Sequence, residues 1–114
     1  MSDVVYDFEK VEKKWRQYWT DTNLYGASND DPRPKYYCLD MFPYTSGTGL
    51  HVGHWRSYVL PDAWSRYKVL RGFNVLHPMG WDAFGLPAEN DAIKNGIHPA
   101  INTRRNIENF RRQL

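Results

Sequence analysis

One stretch constrains the fold of this chain more than any other, because it joins an apolar run to a helical pattern through glycines. Residues 36–39 have the apolar and aromatic character of a short buried strand, and residues 52–70 have helical periodicity. Gly47 and Gly49 lie between them, and Gly53 falls in the first helical turn. Backbone N–H groups at a helix start lack partners within the helix, and the helix dipole favours an anion there. The arrangement is therefore typical of a loop that binds a phosphate.

His51 and His54 lie where this loop meets the helix. They are three residues apart, so on a first helical turn their side chains share one face. Two imidazole donors directed at one point suit a phosphoryl group that gains charge in a transition state. The alternative is that both histidines only cap the start of the helix.

Helical patterns are also found before and within this region. The first predicted helix covers about 7–23, is amphipathic, and has Asp7 as its N-cap. The helix over 52–70 contains Pro61, which removes a backbone donor and crowds the preceding turn. We therefore expect a kink or a restart just before Pro61, with Asp62 as the cap of the second piece.

Two shorter helices are predicted in the last third of the chain. Gly72 is expected to end the preceding helix. Pro87 suits the first turn of a short helix that Asn95 and Gly96 end. A final helix is predicted from Thr103 onward, with an apolar stripe formed by Ile107, Phe110 and Leu114.

Two strands are predicted, over 35–41 and over 73–77, and the first has apolar residues on both faces, as in a covered parallel sheet. The long helical connection implies a parallel pair with a right-handed crossover. Two strands are too few for a finished doubly wound sheet. The predicted class is α/β: the first half of a Rossmann-type (HUP-like) parallel-sheet nucleotide-binding fold, incomplete, over 35–114. An N-terminal helix and loop precede it over 1–34.

Loops 42–54 and 78–86 follow the two predicted strands. In open α/β sheets, ligands bind beyond the carboxyl ends of the strands, so both loops should meet at one crevice.

Composition narrows the class of protein. Apolar residues make up 41% of the chain and aromatic residues 16%, which indicates a globular protein. The many Trp and Tyr side chains either pack in the core and in interfaces or form a stacking surface for an adenine ring or another part of a parent protein. Cys38 is the single cysteine, which indicates a reducing compartment and a small buried residue.

The sequence has no apolar run of membrane-spanning length, so we expect a cytoplasmic protein without a membrane partner. The late arginines are expected to form either a solvated helix face or a patch that faces tRNA or phosphate; they are Arg104, Arg105, Arg111 and Arg112.

Specific motifs add a family resemblance that covers about residues 6–114. The run His-Val-Gly-His at 51–54 resembles the HIGH signature of class I aminoacyl-tRNA synthetases. Met-Phe-Pro-Tyr at 41–44 and Gly-Trp-Asp-Ala-Phe-Gly-Leu-Pro-Ala-Glu at 80–89 look like the leucyl branch. Phe84 stands where isoleucyl and valyl enzymes carry His. The sequence departs from the family at Thr45, where Pro is usual.

The resemblance implies a role for each matching residue. It implies that leucine is activated with ATP to leucyl-adenylate and then transferred to tRNA(Leu). His51 and His54 are the implied catalytic residues, and Asp82 would pair with the α-ammonium of leucine, although a turn cap is its alternative role. The implied ATP-binding residues are Phe42, Pro43, His51, Gly53 and His54. The implied leucine-binding residues are Met41, Phe42, Tyr44 and Asp82.

The resemblance also implies cofactors and partners. ATP would enter with Mg²⁺ as its co-substrate complex, and no tightly bound metal is expected within this segment. The implied partners are leucine, ATP, tRNA(Leu), and the remaining catalytic, editing and anticodon-binding parts of a synthetase. The second family signature, Lys-Met-Ser-Lys-Ser, does not occur in this sequence. We therefore expect a fragment that is inactive alone. The alternatives are a stand-alone ATP- or adenylate-binding remnant and a protein-interaction module.

Overall fold

Two short parallel strands and four helices make up the described part of the chain. The structure is a computed structural model and describes residues 6–47 and 49–114. In chain order the elements are α1 (Phe8–Thr22), β1 (Lys35–Tyr37), α2 (Val52–Leu70), β2 (Asn74–Leu76), α3 (Leu86–Asn95) and α4 (Pro99–Gln113).

The strands pair in parallel, as predicted, with Lys35 opposite Asn74 and Tyr37 opposite Leu76. Both are shorter than predicted, because the pairing continues past Tyr37 only through the Cys38 N–H, which donates to the Leu76 carbonyl at 3.0 Å. The expectation that both faces of the first strand are covered is wrong: the Tyr37 side chain is 58% exposed. Apolar composition cannot tell a covered face from an uncovered one. Cys38 is buried, as predicted.

Helix α1 begins where its cap predicted. The Lys10 N–H donates to Asp7 Oδ1 at 3.1 Å, and the helix ends at Asn23 in the left-handed conformation. The helix contains no buried residue. It is held against α2 by Arg66, whose guanidinium carbon lies 4.4 Å from the ring centre of Trp19 and 4.5 Å from that of Tyr25.

Helix α2 runs without a break through Pro61, so the predicted restart is wrong. Asp62 is not a cap either, because its Oδ2 accepts a hydrogen bond from Arg66 Nε at 2.8 Å, one turn later. Proline deletes one hydrogen bond of the helix ladder, and the bonds on both sides keep the turn helical. Gly72 ends the helix as predicted, with φ +85° and its N–H donating to the Val69 carbonyl.

The last two helices pack on each other and enclose the largest buried side chain. Helix α3 has Pro87 in its first turn and ends at Gly96, which is left-handed, as predicted. Helix α4 begins at Pro99 and not at Thr103, because His98 Nδ1 accepts from the Ala100 N–H at 3.2 Å and forms a cap.

Of the predicted apolar stripe on α4, Phe110 is fully buried, Ile107 is half-buried and Leu114 is 48% exposed. Among the described helices, none has the length and apolar character needed to cross a bilayer.

Candidate active site

The loops that follow the two strands meet at one rim, as predicted. The Asp82 N–H donates to the Pro43 carbonyl at 2.9 Å, and Tyr44 and Asp82 form an isolated parallel bridge. This bridge continues the parallel pairing of the sheet beyond the ends of β1 and β2. It therefore fixes the first loop beside the second, at the edge of the sheet where open α/β proteins bind ligands.

A cleft of about 690 Å³ lies at this rim. All eight predicted site residues line it, and so do three that the sequence did not single out. The predicted residues are Met41, Phe42, Pro43, Tyr44, His51, Gly53, His54 and Asp82. The additional residues are Ser57, Tyr58 and Trp81. Asp82 and the two histidines thus face one space.

The two histidines cap the start of α2 reciprocally. His51 Nδ1 accepts from the Gly53 N–H at 3.1 Å, and His54 Nδ1 accepts from the His51 N–H, also at 3.1 Å. Their ring centres are 3.9 Å apart. The capping role considered from the sequence is therefore present in the structure.

These caps determine which ring nitrogen of each histidine carries a proton. A nitrogen that accepts a hydrogen bond has no proton, so a neutral imidazole in this position carries its proton on Nε2. Both His51 and His54 are thereby set as Nε2–H donors. The Gly53 N–H already has a partner, and the His54 N–H donates to the His51 carbonyl at 2.9 Å. Donors for a ligand at this helix start are accordingly imidazoles more than backbone amides.

Gly53 is needed by the cap itself. A Cβ atom at this position would lie 2.8 Å from His51 Cε1 and 2.9 Å from His51 Nδ1. Both distances are shorter than ordinary carbon contacts. Gly53 therefore lets the imidazole of His51 fold back over the first turn.

Tyr58 supports His54 one turn further along α2. The two rings are stacked, with centres 5.8 Å apart and an angle of 28° between their planes. Burial lowers the pKa of His54 below 6.5, and the neighbouring His51 lowers it further. Burial also raises the pKa of Tyr58, with a further contribution from the charge of Asp40. Both side chains are therefore neutral near pH 7, and the i, i+4 spacing of 54 and 58 could have identified the pair from the sequence.

The opposite wall of the cleft is apolar and half-open. Met41 is 73% exposed, Phe42 42% and Tyr44 53%. Phe42 lies over Gly80, where a Cβ atom would be only 2.9 Å from its ring. Trp81 packs on the buried Phe110, with ring centres 6.2 Å apart, and so links the residue next to Asp82 to the core of the α3–α4 pair.

The aromatic side chains and the late arginines are largely exposed. Trp55 is 64% exposed and Trp64 48%, although Trp64 also contacts the ring of Tyr67. The four late arginines lie exposed on α4. Two of them bond to asparagines of the same helix: Arg105 to Asn102 Oδ1 and Arg112 to Asn109 Oδ1.

Sequence comparison supplies the family. The family model described as tRNA synthetases class I (I, L, M and V) matches residues 14–112. The chain belongs to the class I tRNA synthetases. The predicted resemblance is thereby confirmed, and the chain is part of a family of ligases.

Individual relatives of this synthetase chain are leucine–tRNA ligases. It is 58% identical over 109 residues to a leucine–tRNA ligase of Azobacteroides pseudotrichonymphae, and 57% identical to one of Prosthecochloris aestuarii. Each match covers 96% of this chain and 12% and 14% of the respective relatives. The chain thus spans about an eighth of the length of these curated relatives.

One similar solved structure is also of a leucine enzyme. The LeuRS of Agrobacterium radiobacter, in a ternary complex with tRNA and LeuAMS, matches with a TM-score of 0.89 and 46% sequence identity. The match covers 95% of this chain and 14% of that one.

Proposed function

We propose that this chain forms the His-Val-Gly-His half of a leucine-activating site, within the first half of a Rossmann-type fold. The observation that carries the proposal is the shared cleft, which brings the His51 and His54 imidazoles and the Asp82 carboxylate to one rim. In the proposed reaction the leucine carboxylate attacks the α-phosphorus of ATP. A carboxylate oxygen–phosphorus bond forms, the bond to the β-phosphate oxygen breaks, and pyrophosphate leaves. The leucyl group then passes to tRNA(Leu).

The histidine side of the cleft suits the nucleotide. The Nε2–H groups of His51 and His54 donate to ATP phosphate oxygens, where negative charge accumulates as pyrophosphate departs. Because their Nδ1 atoms are already bonded to the backbone, the rings are oriented before ATP arrives. Preorganised donors do not have to reorient during the reaction. Phe42, Pro43 and Gly53 offer a flat surface along which adenine and ribose can lie, and Mg²⁺ arrives bound to the phosphates.

The Asp82 side of the cleft suits an amino acid. Its carboxylate pairs with the α-ammonium of leucine, a charge-assisted contact that is strong where water is excluded. Met41, Phe42 and Tyr44 provide apolar contact for the aliphatic side chain. Neither the two imidazoles nor the Asp82 carboxylate has to act as a nucleophile, since the carboxylate of leucine attacks the phosphorus itself. The chain's contribution is positioning and charge stabilisation.

Partners beyond the cleft follow from the family. We expect transfer to tRNA(Leu), and the editing and anticodon-binding parts, to require a longer protein, since this chain covers about an eighth of its curated relatives. The natural-length gene product is therefore the protein to assay, and we place it in the cytoplasm.

Leucine-dependent ATP–pyrophosphate exchange tests the proposal. Asp82→Ala should abolish the dependence on leucine while ATP still binds, and His54→Ala should weaken ATP binding. Asp62→Ala is the matched control, since Asp62 lies on α2 outside the cleft and pairs with Arg66. If ATP–pyrophosphate exchange in Asp82→Ala and in His54→Ala equals that of the unmodified protein, the proposed roles of both residues are contradicted.

A further inference from the structure

Helices α3 and α4 hydrogen-bond to the glycine-rich loop through residues that do not line the cleft. Three contacts link the described loop residues to these helices. The Gly47 N–H donates to Asp91 Oδ2 at 3.2 Å, and the Thr45 carbonyl accepts from Asn106 Nδ2 at 2.8 Å. The Leu50 N–H donates to Gln113 Oε1 at 2.8 Å. Because Leu50 directly precedes His51, the last hydrogen bond also restrains the chain at the start of α2.

Asp91 is the centre of this arrangement. Besides the Gly47 N–H, its Oδ2 accepts from Asn102 Nδ2 at 2.6 Å and from Asn106 Nδ2 at 3.3 Å. Its Oδ1 accepts from Asn95 Nδ2 at 3.1 Å. Burial alone would raise the pKa of this carboxyl, but the hydrogen bonds from Gly47 and the asparagines outweigh it and lower the pKa. Asp91 is thus ionised at neutral pH.

The asparagines are placed to serve the carboxylate and the loop together. Asn102 and Asn106 are four residues apart on α4, so they share one face, and both are buried, at 2% and 4% exposure. Arg105 donates to Asn102 Oδ1, which turns the Asn102 amide nitrogen toward Asp91. Asn106 divides its donors between Asp91 and the Thr45 carbonyl. Buried amides of this kind are costly unless they are satisfied.

None of these groups lines the cleft, so they do not contact a ligand there. The Gly47 N–H donates to Asp91 and is therefore already occupied by a protein acceptor. The loop is therefore given its shape by protein groups before any nucleotide binds.

We propose that Asp91, with Asn106 and Gln113, is a positioning cluster that sets the glycine-rich loop and the His51–His54 pair for ATP. The proposal rests on the proposed function of the cleft. It predicts an effect mainly on ATP, because the contacts of Asp91 with Gly47 and of Gln113 with Leu50 lie next to the start of α2, where the histidines stand. Loss of one of its hydrogen bonds should raise the KM for ATP about threefold to tenfold, while the KM for leucine stays unchanged.

The test compares three variants of the natural-length protein. Asp91→Asn places an amide donor against the Asn102 and Asn106 donors. Gln113→Ala removes the Leu50 contact at an exposed position. Asp31→Asn is the control. Its carboxylate is also well hydrogen-bonded, to Arg33, but it precedes β1, at the opposite end of the strand from the cleft.

A raised ATP KM in Asp91→Asn and Gln113→Ala, with an unchanged leucine KM and a normal Asp31→Asn protein, supports the cluster. An ATP KM unchanged in both variants overturns it, and so does a parallel rise of both KM values, which would indicate general loosening.

A second readout separates this inference from the proposed function. If the unmodified protein shows no leucine-dependent ATP–pyrophosphate exchange, the proposed function fails. The cluster is then judged by amide hydrogen–deuterium exchange alone. Asp91→Asn should speed exchange of the Gly47 amide, and Gln113→Ala that of the Leu50 amide, each about threefold or more. Exchange rates equal to those of the unmodified protein would overturn the cluster.

Discussion

Replacing Gly53 with alanine should separate the fold of helix α2 from its proposed ATP-binding role. The new Cβ atom would lie 2.8 Å from His51 Cε1, well inside the contact distance of about 3.5 Å between carbons. The imidazole of His51 is the end of a rotatable side chain, so the ring turns away and the main chain stays in place. The His51 cap on the Gly53 N–H is lost with that rotation.

Two effects on stability then nearly cancel. Loss of a side-chain cap costs about 1 kcal/mol. Alanine in place of glycine within a helix gains up to about 1 kcal/mol. The free energy of unfolding should therefore change little, whereas the His51 Nε2–H no longer points at the phosphate. A hydrogen bond to a charged group contributes about 1.5–3 kcal/mol, so ATP affinity should fall roughly tenfold to a hundredfold.

Calorimetric titration of the natural-length protein with ATP measures this effect, and thermal unfolding checks the stability. Val52→Ala is the control, because Val52 lies in the same turn, is 82% exposed and does not line the cleft. Wild-type ATP affinity in Gly53→Ala would refute the idea that an oriented His51 holds a phosphate. A large loss of stability would refute the cancellation of the two terms.

Three further results are expected. Phe110→Ala should cost about 3–5 kcal/mol of stability, because the ring is fully buried, and urea unfolding measures the loss. His54 has a lowered pKa, so its cap is complete above pH 6.5 and is lost as the pH falls through the folded-state value; the protection of the His51 amide relative to its intrinsic exchange rate should fall only on that acidic side. Arg66→Lys should cost about 1–2 kcal/mol, since lysine lacks the planar guanidinium that lies over the rings of both Trp19 and Tyr25, and urea unfolding measures the loss.

Helix positions were predictable where a local signal marks each end. Asp7 caps α1, Gly72 follows α2 and Gly96 ends α3, and each acts through neighbours within four residues. The start of α4 was misplaced because His98 is an unusual cap, although Pro99 at the first helical position was the available signal. The strand lengths were overestimated, because an apolar run does not show which of its faces another element covers.

The rim could be predicted because it follows from topology: parallel strands end at the same edge, so their loops must meet. The Asp91 cluster could not be predicted in this way. Gly47 and Asp91 are 44 residues apart, and Thr45 and Asn106 are 61 apart, with no periodic pattern to connect them. Contacts of that range depend on how α3 and α4 pack against the loop.

The sequence left open whether the two histidines cap a helix or bind a phosphate, and the structure makes these roles compatible. An imidazole has two nitrogens on opposite sides of its ring, so one can accept from the backbone while the other donates to a ligand. On the proposed function, the cap sets the geometry in which the phosphate is bound, because it fixes both the tautomer and the ring orientation of His51 and His54. A phosphate site built in this way needs a glycine at Gly53 for a steric reason, to make room for the cap, and not only to admit the ligand. Any substitution that displaces the cap should therefore weaken nucleotide binding even when the helix itself remains intact.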